Sequence, residues 1–152
     1  MKIIEPKYVT FEQAKFLKEK GFDVPCQQLY VAGKYRINYE KEGELFNNGM
    51  PSLQIPNDWC LAPEQWMVVE WLRVKHGIWI QPFIQFENAI EDECEETLEY
   101  GYGIYDFKEM RKMRQNVFPY IHTDDVDNHV FGFNTPEEAY SASFDYILTN
   151  LI

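Results

Sequence analysis

Cysteine is scarce in this chain and nowhere paired along it: Cys26, Cys60 and Cys94 stand alone, with no Cys-x-x-Cys. An odd count does not build a closed disulfide framework, so reduced thiols in a cytosolic compartment are expected. Long apolar runs are lacking too. None approaches the ~18 residues that cross a bilayer, and no apolar targeting segment follows Met1-Lys2. A cytoplasmic protein with no membrane partner is therefore expected. Basic residues are also few, with 14 Lys and Arg against 25 Asp and Glu for a net charge of −11. Such a surface is repelled by nucleic-acid phosphates, so no direct nucleic-acid contact is expected, and a basic protein is the electrostatically suited partner.

The signatures of catalysis are missing as well. There is no Gly-x-Ser-x-Gly elbow, no phosphate loop and no dinucleotide fingerprint. Tyr100-Gly-Tyr-Gly-Ile-Tyr105 has two glycines but lacks the third and does not open a helix. Each cysteine lacks a neighbouring histidine or base, which favours small buried hydrophobes over nucleophiles. His76, at the end of an apolar helical run, reads as a complement to the helix dipole. No cofactor and no catalytic residue are predicted.

What is present is material for a core. Hydrophobic residues make up 45% of the 152 and aromatics 16%, enough for a single globular domain over residues 1–152. Thr10 with Gln13 three positions later forms a capping-box pattern, followed by Phe11, Ala14 and Leu17 on one face. Gly21 supplies a left-handed exit and Phe22 can fold back on the helix end. Gln28 to Val31 and Lys34 to Tyr39 read as a hairpin around Ala32-Gly33, and a loop rich in Gly, Asn and Pro follows. Pro63 is placed to open a second helix that ends at Gly77. Its apolar residues, Trp66 to Val74, wrap more than half the circumference, which predicts a central helix covered on two sides.

Strands are expected from Ile78 toward Phe86, over Leu98 to Phe107, Val117 to Ile121 and His129 to Phe133, with Gly101 and Gly103 marking a bulge or bend. Thr135 caps a last helix with Pro136 in its first turn, and Tyr140, Phe144, Ile147 and Leu151 define its buried stripe. The fold class is therefore α+β, a mainly antiparallel sheet with three helices in the order α-β-β-α-β-β-β-β-α.

Three segments carry a resemblance. They are Phe11 to Phe22 running toward Cys26, Ala62-Pro-Glu-Gln-Trp66 continuing through Trp71 to Gly77, and Thr135-Pro-Glu-Glu-Ala-Tyr140 into Tyr146-Ile-Leu148. Together they resemble small acidic proteins of unknown function from Bacteroidetes-type gut bacteria, their bacteriophages and mobile elements. The resemblance implies a mobile-element or accessory role and carries over no site residue.

Two residue sets are candidates for a site. His122, Asp124, Asp125, Asp127 and His129 put two imidazoles and three carboxylates into one short segment, which suits a divalent ion that activates water for hydrolysis. The plainer reading is an acidic turn between strands, because no known ligand spacing is matched. The second set is aromatic. Four Trp and ten Tyr exceed what a core of this size requires, and both types serve as interface anchors or sugar-stacking platforms. Trp66, Trp71 and Trp79 read as core. Trp59, Tyr100, Tyr102 and Tyr105 are the candidates for a partner surface.

Basic Lys108, Arg111, Lys112 and Arg114 read as counterions to the acidic run from Glu87 to Glu99. The leading functional expectation is a small non-enzymatic interaction protein that self-associates or docks a protein partner. A metal-dependent hydrolase on the His122–His129 turn is the alternative, and a carbohydrate-binding module a weaker one.

Overall fold

The structure is a computed structural model that describes residues 5–31, 35–38, 57–87, 97–106 and 130–152. Contacts divide the chain into two compact units, residues 1–71 with 144–152, and residues 72–143. The α+β class, the three helices and the antiparallel pairing are as the sequence predicts.

The first unit opens with α1, Phe11–Glu19. Thr10 Oγ1 accepts from the Gln13 amide while Gln13 Oε1 accepts from the Thr10 amide, at 3.2 and 3.0 Å. This reciprocal box satisfies two amides that a helix start otherwise leaves unpaired. At the other end Gly21, at φ +79°, lets the Phe22 amide reach back to the Leu17 carbonyl and the Gly21 amide to that of Lys18. That left-handed residue is what the exit requires. Ala14, Leu17 and Phe22 are buried.

The hairpin of β1 (Gln28–Val31) and β2 (Tyr35–Asn38) is antiparallel, while its expected turn at Ala32-Gly33 lies outside the described residues. A third strand, β3 (Trp59–Leu61), pairs with the other edge of β1 in the order β2-β1-β3. Its three residues are too short for a period to show, which is why no strand is read there from sequence.

The second helix, α2, spans Gln65–Trp71 and continues as a π-helical turn over Leu72–His76. It starts two residues after Pro63 because the chain there is engaged differently. Val9 donates to the Pro63 carbonyl and Gln65 to that of Lys7, so Tyr8 and Glu64 form an antiparallel bridge. Val68 and Trp71 are buried, but Trp66 and Val74 are exposed, which corrects the expectation of a helix covered on two sides. Trp71 meets Phe22 edge-on, ring centroids 5.4 Å apart.

In the second unit β4 (Ile78–Glu87), β5 (Thr97–Asp106) and β6 (Val130–Phe133) form an antiparallel sheet in that order. A register shift between Tyr100 and Tyr102 in the β5–β6 pairing falls at Gly101, as the sequence suggests. The expected strand at Val117 to Ile121 lies outside the described residues.

The last helix, α3 (Pro136–Asn150), is capped by Thr135, whose Oγ1 accepts from the Glu138 amide at 3.2 Å. Ala139, Ser143, Phe144, Ile147 and Leu148 are its buried residues, so the buried stripe is turned slightly from the predicted Tyr140–Leu151 line. Ser143 is accommodated because its hydroxyl donates to the Tyr140 carbonyl at 2.7 Å.

Candidate functional site

In the first unit the bridge between Tyr8 and Glu64 fixes the backbone just before α2. Glu64 is thereby held at the helix entrance, and its carbonyl accepts from the Met67 amide at 3.0 Å. The Glu64 carboxylate in turn accepts the indole N–H of Trp66, with Nε1 to Oε2 at 2.6 Å. Trp66 is 64% exposed despite this anchor. A large apolar ring is thus presented to solvent in one orientation, with its single polar group already satisfied. Such a side chain loses little rotamer freedom on binding, the condition under which Trp acts as a dominant interface anchor.

Sequence reading assigned Trp66, Trp71 and Trp79 to the core; Trp71 is buried there, whereas Trp66 and Trp79 are exposed. The signal that places Trp66 outside is its helical spacing to Glu70 and Arg73, the polar stripe of the same helix.

The four aromatic candidates separate. Trp59, half-buried in β3, is held through its backbone: the Lys18 ammonium donates to its carbonyl at 2.7 Å and to that of Asn57 at 3.1 Å. Tyr100 is half-buried on β5. Tyr102 and Tyr105 are 5% and 4% exposed, so these two rings are core of the second unit and do not face a partner. The cause lies in the sheet: the Tyr102 ring lies 5.8 Å from that of Phe133, and Tyr105 closes over Gly103.

Face alternation along β4 and β5 creates a second surface. Ile84 lies opposite Tyr100 and Phe86 opposite Leu98, so Ile84 and Leu98 are diagonal neighbours on one face. Ile84 is 58% and Leu98 42% exposed, and Pro82 on the same face is exposed as well. Nearer the other end of the hairpin this face is buried through Ile78, Ile80, Tyr102 and Ile104.

Among the described residues, chemistry by the thiols of Cys26 and Cys60 is disfavoured. Burial, with the Glu64 carboxylate nearby, pushes the Cys26 thiol up to about 12, and burial raises that of Cys60 despite Lys18 and Lys15. Protonated, buried thiols are poor nucleophiles.

The metal candidates His122, Asp124, Asp125, Asp127 and His129 lie outside the described residues, as do Lys108, Arg111, Lys112 and Arg114. Among the described residues no group of three or more His, Cys, Asp or Glu is placed to hold a metal ion. Among them, too, no helix is long and apolar enough to cross a membrane. Comparison with family models, curated proteins and solved structures returned no match.

Proposed function

We propose that this chain is a non-enzymatic protein-interaction module, an accessory protein of the phage or mobile-element type that its helices resemble. The observation that carries the reading is Trp66, exposed yet oriented by its hydrogen bond to Glu64. An indole that stays 64% exposed contributes little to folding through burial, and its hydrogen bond to Glu64 limits the rotamers that docking would otherwise have to fix. The strongly acidic composition, net −11, supports a basic protein as the partner over nucleic acid or an anionic membrane.

The test is retention of a binding partner from bacterial lysate by wild-type protein and by Trp66→Ala. Substituting an exposed side chain leaves the fold intact, so a protein retained by the wild type and lost by the variant supports the reading. Equal retention by both, or none by either, contradicts it.

A further inference from the structure

The pairing of Trp66 with Glu64 leaves both groups with capacity for a further partner. The indole N–H lies in the ring plane, so the Glu64 Oε2 that accepts from it at 2.6 Å sits at the ring edge and covers neither face. Trp66 is 64% exposed, and among the described residues no aromatic ring or cation stacks on it. Glu64 is half-buried, and among the same residues its carboxylate accepts no second hydrogen bond and forms no ion pair. Lys7, whose carbonyl accepts from the adjoining Gln65 amide, does not pair with it either.

These features select one kind of occupant. The face of an indole attracts cations through its quadrupole, and a carboxylate accepting from the ring N–H polarises the ring in the direction that strengthens this attraction. An apolar side chain docked here would strip water from the Glu64 carboxylate and supply no donor in exchange. Anions are repelled by the same carboxylate. The helix start offers them no amides at this point, because those of Gln65 and Met67 already donate to the carbonyls of Lys7 and Glu64. Of the two cationic side chains, guanidinium is planar, weakly hydrated and rich in N–H donors, so it stacks on a ring and donates to a carboxylate together. An ammonium is compact and strongly hydrated. A second copy carries the same net −11 and is disfavoured as the source of the cation.

We infer that Trp66 and Glu64 together receive an arginine side chain of a protein partner, its guanidinium against the indole face and its N–H groups donating to the carboxylate. The inference rests on the reading of the chain as an interaction protein anchored by Trp66, and it names the group that the anchor receives.

The experiment follows the Trp66 indole N–H resonance of the isotope-labelled full chain, assigned by Trp66→Phe, during titration with short glycine–serine peptides. A peptide carrying arginine is expected to shift that resonance saturably. The matched citrulline peptide, of the same shape without the charge, is expected to bind about tenfold more weakly, and the lysine peptide about threefold more weakly. Glu64→Gln keeps an acceptor for the indole N–H but removes the charge, and is expected to weaken arginine binding about tenfold. The citrulline comparison uses the unmodified protein and so does not depend on the variant folding.

Equal binding of the arginine and citrulline peptides, lysine binding as tight as arginine, an unmoved Trp66 resonance, or undiminished arginine binding by Glu64→Gln would overturn the assignment. A lysate partner lost in Trp66→Ala but fully kept by Glu64→Gln also overturns it, while leaving the interaction reading standing. Equal retention of every protein by the wild type and Trp66→Ala contradicts that reading itself.

Discussion

Gln13 and Asp145, far apart in the chain, are joined by a hydrogen bond from Gln13 Nε2 to Asp145 Oδ1 at 2.9 Å. The same Gln13 side chain closes the capping box of α1, so one buried amide serves both a local and a long-range contact. Gln13→Ala removes both and is expected to cost about 1–3 kcal/mol. Gln13→Glu keeps the capping acceptor but sets a second carboxylate against Asp145. Adding Asp145→Asn is expected to recover much of that loss, read as a positive coupling in urea unfolding of the double-mutant cycle.

The Thr10–Gln13 box, the Gly21 exit and the Thr135 cap were all readable in sequence, because caps are local and follow from which backbone amides need a partner. The link to Asp145 was not, since nothing local names a partner so distant along the chain. Trp66 was misplaced for a related reason. Apolar patterning states that a helix has apolar residues but not how many neighbours the fold can bring to cover them. With α2 only seven residues long and the π-helical turn following it, Trp66 and Val74 are left in water. Tyr102 and Tyr105 err the other way, because the glycines between and beside them, which open room for rings, signal a bend more readily than a packing site.

Gly103 is such a packing site. A Cβ there would lie 2.9 Å from Phe83 Cε2 and 3.2 Å from the Tyr105 ring. Gly103→Ala is expected to destabilise the chain by about 1–3 kcal/mol through overpacking, measured by thermal and urea unfolding.

High pH should unfold the protein through groups the fold keeps neutral. Cys26 is raised from 9.0 to about 12, and burial raises Cys60 and Tyr140 from 9.0 and 10.0. In each case the folded state holds the proton more tightly, so the stabilisation is complete below pH 9 and is lost as pH climbs through the folded values. Urea midpoints are expected to fall from about pH 9 to about pH 11, and Cys26→Ala is expected to flatten that fall. Peptide mapping after brief iodoacetamide treatment at neutral pH is expected to find Cys26 and Cys60 unmodified in the folded protein and modified in urea.

The alternative of a metal-dependent hydrolase on His122, Asp124, Asp125, Asp127 and His129 makes a separate prediction. Native mass spectrometry of protein purified without chelator would show an added metal mass that is lost in His122→Ala/His129→Ala. The interaction reading predicts the polypeptide mass alone, or that mass multiplied by a subunit number.

Trp66→Ala is expected to change stability by no more than about 0.5 kcal/mol, the usual range for an exposed position, which separates a binding loss from a folding loss. The most direct measurement of the central claim is fluorine NMR of protein labelled with 5-fluorotryptophan, with Trp66 assigned by Trp66→Phe. The account predicts that the Trp66 resonance shows the largest H2O-to-D2O shift of the four Trp resonances, and that adding the captured partner moves it and suppresses that shift. A Trp66 signal that is shielded from solvent in the free protein, or unchanged while the bound partner shifts the others, would contradict the account.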